Sequence, residues 1–228
     1  MVKVQYLGHS FFKVSFSGCN LLIDPFINCP PKNNFNERLL PCPVSEEKLK
    51  DIDLILITHE HFDHFDTKTI EAVAERENAL VVGHDQVLRE LKVKERLKRP
   101  VDPRSSLNLD GINIKPVPMH HPNSFYPLGY LLESQGTKIF HAGDTDLVNV
   151  FSRLEADILM VPIGGTITMD VVDAVRAVKT MEPSVAIPMH YNTFEIIKAS
   201  PQEFREKIEK SILKTKVHVL KPKQTLKY

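Results

Sequence analysis

The run Leu54-Ile55-Leu56-Ile57 is followed at once by Thr58-His59-Glu60-His61-Phe62-Asp63-His64. Consecutive aliphatics bounded by polar residues read as a strand covered on both faces, so the polar cluster must sit where that strand leaves the core. Histidine and carboxylate are the donors that zinc and similar divalent ions prefer, and a surface turn has no packing reason to gather so many titratable groups. Residues two apart in an extended chain point the same way. His59 and His61 can therefore reach one point above the sheet. Asp63 and His64 follow as the chain turns, and can approach a second point close by.

The rest of the chain has the make-up of an ordinary soluble protein. Its 228 residues are long enough to bury a sizeable core, with 42% hydrophobic and 25% charged residues. Lys plus Arg equals Asp plus Glu at 29 each, so no net field favours nucleic acid or an anionic membrane. Cys19, Cys29 and Cys42 form an odd set without a CxxC pair, which argues against a disulfide framework and for a reducing compartment. The first residues read as a strand rather than a signal peptide, and no apolar run approaches the roughly 20 residues that span a bilayer. The expectation is a cytoplasmic protein without a membrane partner.

Along the chain, residues 2–7, 11–16 and 21–24 read as a β-meander. A proline- and asparagine-rich segment, residues 28–43, is the longest candidate loop, and long ordered loops are often functional. Asp66 can cap a helix reaching about residue 78, and residues 79–82 and 86–91 read as a strand and a helix. Strands are expected over 112–119, 129–133, 137–141, 158–163 and 184–189, with a helix over 170–179. Ser200-Pro201-Gln202-Glu203 combines a capping serine, a proline at the first helical position and a glutamate three residues on. That helix should end near residue 212, before a last strand around 217–220. Strands and helices interleave throughout, so residues 1–228 read as a single α/β domain.

Several of these strands end as the first one does. His120-His121 closes 112–119, His141-Ala142-Gly143-Asp144 closes 137–140, and His190 closes 184–189, while His9 lies between the first two strands. Open α/β sheets gather functional groups at the carboxyl ends of their strands, so this recurrence predicts one shared site.

His59-Glu60-His61-Phe62-Asp63-His64 resembles the HxHxDH signature of the metallo-β-lactamase superfamily. Leu7-Gly8-His9-Ser10, Ile23-Asp24-Pro25, His141-Ala142-Gly143-Asp144-Thr145 and Pro188-Met189-His190-Tyr191-Asn192-Thr193 are similar to its uncharacterised metal-dependent hydrolases near the ascorbate-6-phosphate lactonases. The resemblance covers most of the chain. It implies a four-layer αββα sandwich in which each half of the chain supplies one sheet with its helices. It also implies that His59, His61 and one of His120 or His121 hold a first metal. Here His120 is favoured, because the corresponding histidine of the family is usually followed by small or turn residues. Asp63, His64 and His190 would hold a second metal, with Asp144 bridging.

Two divalent ions about 3.5–4 Å apart, most simply zinc with manganese or iron admitted by the same donors, activate a bridging hydroxide. The expected reaction is hydrolysis of an ester, lactone, amide or phosphodiester bond in a small-molecule substrate, with Asp63 orienting the nucleophile and Asp144 setting the metal spacing. His9 reads either as a residue facing the metal ligands or substrate, or as a structural turn. Asp24 reads as a partner for a ligand histidine or as a turn-former before Pro25. His141 reads as a supporting or core residue, and Tyr191 and Asn192 as pocket-lining or simple loop residues. Gly164-Gly165-Thr166 offers either backbone N–H groups to an anion or a plain turn. Two other functions compete. An RNA-processing nuclease should add a basic arm, which this chain lacks, since Arg89 to Arg99 also contains Glu90 and Glu95. A binding or sensing protein would keep the metal without turnover.

Overall fold

Side-chain alternation sorts the strands into layers. In β3 (Cys19–Ile23) and β4 (Leu54–Leu56), Leu21, Ile23, Leu54 and Leu56 face a central core while Leu22 and Ile55 face a separate outer cluster. The same division holds in β11 (Ile158–Pro162) and β12 (Val185–Met189). Ile158, Met160, Val185 and Ile187 point to the centre, and Leu159, Val161 and Ala186 point away. A strand buried on both faces must be apolar at every position, which is why these runs show no polar alternation.

The computed structural model describes residues 1–31, 35 and 37–228. Asn33 and Asn34, in the candidate functional loop, lie outside these residues. The other strands are β1 (Lys3–Gly8), β2 (Phe11–Phe16), β5 (Leu80–Gly83), β6 (Lys98–Pro100), β7 (Leu107–Leu109), β8 (Ile112–Pro118), β9 (Leu128–Ser134), β10 (Thr137–His141), β13 (Lys216–Val217) and β14 (Thr225–Lys227). One sheet has the order β14-β1-β2-β3-β4-β5-β6 and the other β13-β12-β11-β10-β9-β8-β7. Helices α1 (Thr67–Glu77) and α2 (Asp85–Arg89) cover the outer face of the first through Ile70, Val73 and Val87. Helices α3 (Val171–Met181) and α4 (Pro201–Glu209) cover the second through Ala174, Val178, Phe204 and Ile208. This is the αββα sandwich. Among the described residues, no helix is long and apolar enough to cross a membrane.

The division into halves is incomplete. β14 crosses back to pair antiparallel with β1, Lys3 opposite Lys227, so the first sheet takes its edge from the far end of the chain. β6 is a further strand that the sequence conceals, whereas β7 runs into the Asp110-Gly111 turn that the sequence places between strands. Lys98-Arg99-Pro100 is polar and partly exposed, as suits an edge strand that has only one neighbour. The last expected strand shortens to Lys216–Val217, and α4 stops at Glu209. Two helix starts fall where the caps predict, with Asp66 accepting from Thr69 N and Ser200 from Glu203 N. Asp170, expected as the first residue of its helix, instead caps it by accepting from Asp173 N. Asp66 also accepts from the backbone N–H groups of Ile27 and Asn28, which ties the chain after β3 to the head of α1.

Strand direction gathers the functional residues. β1 and β4 run parallel to β3, and β8 and β12 run parallel to β10. The six therefore end at one rim, where His9, Asp24, Thr58–His64, His121, Asp144 and His190 follow. The sheets are joined there, since Leu128 N donates to the Thr58 carbonyl and the Tyr130 hydroxyl to the Ile57 carbonyl. Gly143 makes the turn that brings Asp144 inward. Its φ is +62°, and a Cβ there would lie 2.5 Å from the Leu128 carbonyl and 3.2 Å from Thr58 Cβ. Gly143→Ala should therefore destabilise the protein by about 2 kcal/mol or more. Thermal unfolding should show a fall in Tm of roughly 4–8 °C for a chain of this length.

Candidate metal centre

Thr58, which immediately precedes the first histidine, and its partner Asp24 set the tautomers of two rings. Asp24 is fully buried and accepts from Thr58 N at 2.8 Å, from the Thr58 hydroxyl at 2.7 Å and from His64 Nδ1 at 2.8 Å. The Thr58 hydroxyl has one proton and gives it to Asp24. It must therefore accept from His59 Nδ1, 3.0 Å away. Both rings carry hydrogen on Nδ1 and turn the lone pair of Nε2 inward.

His121 and His61 are fixed in the same way. His121 Nδ1 donates to the Ile167 carbonyl at 2.9 Å, and His61 Nε2 donates to the Asn123 carbonyl at 3.2 Å. The nitrogens left over, His121 Nε2 and His61 Nδ1, face each other at 3.0 Å. Two lone pairs at that distance repel unless a proton or a cation lies between them. Nearby, Asp144 Oδ1 is 3.3 Å from His64 Nε2, and Asp144 Oδ2 is 3.0 Å from His190 Nε2 and 3.7 Å from His121 Nε2. Asp63 Oδ2 is 3.0 Å from His9 Nε2 and 3.6 Å from His190 Nε2. His59 Nε2, His64 Nε2, both His190 nitrogens and Asp144 Oδ1 are buried without a hydrogen-bond partner. Buried polar atoms are nearly always satisfied, so this convergence of orphaned donor atoms fits a metal. The donors group as His59, His61, His121; as His59, His64, Asp144; and as His9, Asp63, His64, His190.

A family model for the beta-lactamase superfamily domain matches residues 19–191. The chain belongs to that superfamily. It is 37% identical over 240 residues to a UPF0173 metal-dependent hydrolase of Staphylothermus marinus, with all of both chains covered. It is 38% identical to one of Alkaliphilus metalliredigens, covering 96% of each. Among solved structures it is similar to Igni18, a metallo hydrolase of Ignicoccus hospitalis, at 33% identity and a TM-score of 0.82, covering 99% of this chain and 97% of that one.

Within this superfamily scaffold, one expectation is corrected. The preferred His120 stands outside the cluster, its side chain 69% exposed and its Nδ1 2.9 Å from Asp146 Oδ2. The His121 side chain is fully buried among the donors instead. β8 ends at Pro118, and the following turn is held by Met119 N donating to Pro127 O and Asp146 N donating to His120 O. That backbone path turns the first ring of the doublet outward and the second inward.

The remaining residues also find definite places. His141 is satisfied at both nitrogens, donating from Nε2 to the Ser10 carbonyl and accepting at Nδ1 from Gly143 N. It supports the turn that carries Asp144. Tyr191 is buried in the apolar cluster beneath α3 and α4, and burial pushes its hydroxyl up to about 12. Asn192 Oδ1 accepts from Ala199 N, and Gly165 N donates to Met169 O, so both serve turns. Sequence reasoning missed Thr58 and Glu60. Glu60 accepts from Phe125 N at 2.8 Å and from Ser124 Oγ at 3.1 Å, and so anchors the loop that carries His121 and the Asn123 carbonyl. The only signal was its place inside the motif.

Electrostatics divide the cluster in two. Burial drives His59 well below the ordinary histidine range and also lowers His121, so both are neutral imidazoles at pH 7. Burial likewise disfavours charge on His64 and His190, but Asp144 outweighs it in both cases. His64 rises well above the ordinary range and His190 to about 9. Burial opposes ionisation of Asp144 and Asp63, yet the adjoining histidines hold both carboxyls well below their usual range. Burial lowers His9 to about 4.

Replacing His121 with alanine should cut zinc affinity by more than about a hundredfold, beyond the usual cost of losing an outer partner. His120→Ala should leave it within a factor of about two. Competition against a chromophoric chelator measures both, and equal losses in the two variants would reject the assignment of His121.

Proposed function

We propose that this chain is a metal-dependent hydrolase that holds two divalent cations and cleaves an ester, lactone or phosphodiester bond in a small molecule. The carrying observation is the approach of His61 Nδ1 and His121 Nε2 to 3.0 Å while the other nitrogen of each ring is committed to a backbone carbonyl. It is reinforced by the unsatisfied nitrogens around Asp144. Relatives at 37% and 38% identity named as metal-dependent hydrolases support the reading.

His59, His61 and His121 would hold one cation. Asp63, His64 and His190 would hold the other, with Asp144 between them. Imidazole and carboxylate donors suit zinc, with manganese and iron as alternatives. When bound, such ions would supply Lewis acidity, lowering the pKa of a water toward neutrality and polarising the scissile carbonyl or phosphoryl group. Asp63 remains ionised at neutral pH and would accept a proton from an incoming water, so the reaction needs no serine or cysteine nucleophile.

A small-molecule substrate is favoured over RNA by the charge pairing of the 89–99 segment. Arg89 pairs with Asp85, Lys94 with Glu75 and Lys98 with Glu95, so three of the six cations of this segment are already matched to carboxylates rather than offered to a phosphate backbone.

The protein loaded with zinc, manganese or iron should turn over members of a panel of activated esters, lactones and phosphodiesters. His59→Ala and Asp144→Ala should each lose bound metal and at least about a hundredfold in rate, more than an outer-partner loss. Metal content unchanged in both variants would reject the site. No turnover across the panel by the fully loaded protein would favour a binding or sensing role.

The two positions should also differ in pH dependence. The folded pKa of His190 is raised to about 9, so it is protonated at pH 7 and must lose that proton to bind a cation. Affinity at the position of His64 and His190 should therefore climb with pH up to about 9. Affinity at the position of the depressed His59 and His121 should be nearly flat above neutrality. Calorimetric titrations in buffers of different ionisation enthalpy, repeated from pH 6 to 9, measure the proton release for each ion. Equal slopes at the two positions would contradict this division.

A further inference from the structure

We propose that His9 is a positioning residue for Asp63: its Nε2–H holds the carboxylate in the orientation the second cation requires, and the ring is not itself a ligand. The inference rests on the reading of Asp63 as a ligand in the two-cation site.

His9 is 1% exposed and its Nε2 is 3.0 Å from Asp63 Oδ2, in hydrogen-bonding geometry. His190 Nε2 lies equally close to Asp144 Oδ2, yet it makes no hydrogen bond there and is left unsatisfied. A donor nitrogen aimed at a cation points past its neighbouring ligand, whereas a hydrogen-bonding nitrogen points straight at it. His9 therefore behaves as a donor to a ligand.

A purely structural histidine would look different, and the same fold contains one. His141 has partners at both nitrogens. His9 Nδ1 is buried without one, so Asp63 is the sole polar partner of the His9 ring among the described residues. The ring is also placed at a cost. Gly8 has φ +103° and His9 φ +57°, a left-handed conformation uncommon for a residue with a Cβ. Such strain persists where the surroundings over-determine it, and it concentrates at functional sites. Here the surroundings are the His190 ring at 4.3 Å between centroids, and Phe26 and Phe194 at 5.5 and 5.9 Å. His190 N also donates to the His9 carbonyl at 3.0 Å. One residue thus fixes Asp63 through its side chain and His190 through its backbone.

Two substitutions isolate the side-chain hydrogen bond. In His9→Gln, the amide nitrogen can occupy the place of Nε2 and keep a donor toward Asp63. In His9→Asn, which tolerates the left-handed backbone, the amide takes the place of Nδ1 and the donor to Asp63 is lost. Zinc is titrated into the metal-free proteins against a chromophoric chelator. Wild type should bind two equivalents, and His9→Gln should match it at both within about threefold. His9→Asn should weaken one of the two by about 10–100-fold, the usual cost of an outer-shell partner. Wild-type affinities in His9→Asn would overturn the proposal, as would an equal loss in His9→Gln. A wild type that takes up no second equivalent would instead reject the two-cation reading, and this inference with it. A second measurement needs no variant. In long-range ¹H–¹⁵N spectra of the zinc-loaded wild type, His9 should be the neutral tautomer protonated on Nε2. A deprotonated, zinc-shifted Nε2 would make His9 a ligand and overturn the proposal.

Discussion

Three carboxylates, Asp24, Asp63 and Asp144, are buried at the rim where the two sheets meet. Taking an ion out of water costs several kcal/mol even after relaxation, so their surroundings must answer each negative charge locally. Asp24 is satisfied by three donors from Thr58 and His64. Asp63 receives His9. Asp144 is answered by proximity alone, with His190 at 3.0 Å and His64 at 3.3 Å, and its Oδ1 has no hydrogen bond. Protonated histidines supply that compensation without metal, and a cation would displace their protons. The elevated affinity of His64 and His190 for protons and the capacity of the cluster for metal are thus one property.

The backbone is bent to serve this arrangement. His9, Asp24 and His190 each follow a strand and each adopt a left-handed φ, between 47° and 57°. A turn that abrupt brings the side chain back over the strand end rather than into solvent. Each costs on the order of 1–3 kcal/mol. Hydrogen bonds across the rim hold them, from Asp24 N to the Leu56 carbonyl and from His190 N to the His9 carbonyl. Gly164 allows the same crowding from beneath, since a Cβ there would run into the His190 carbonyl. The precision of the site is bound up with the double-sided packing of the strands that carry it.

Much of this was legible in the residues. Strands buried on both faces announce themselves as unbroken apolar runs, and side-chain capping marks two of the helix starts, so the alternation of layers could be read directly. The HxHxDH motif fixed its own place because it sits on the end of such a strand. The choice between His120 and His121 was not legible. Once β8 ends at Pro118 the two-residue period no longer governs direction, and the answer depends on bonds to Pro127 and Asp146. Glu60 was hidden for a related reason, because its partners Ser124 and Phe125 are distant in sequence. Edge strands such as β6 and β14 carry polar sequences and become strands only through a neighbour, which no local pattern encodes.

The return of β14 to β1 bears on how the molecule comes together during synthesis. β1 carries the turn with Gly8 and His9, and it is bordered by β2 on one side and by residues 225–227 on the other. The His9 carbonyl in turn waits for His190. Contacts of such long sequence separation form late, because the closure entropy of the intervening loop must be overcome first. A ribosome-bound chain that has already emitted Thr58–His64 thus presents half a set of donors whose counterparts have yet to emerge. Assembly of the full donor set therefore waits at least until His190 has emerged and its backbone has docked against His9.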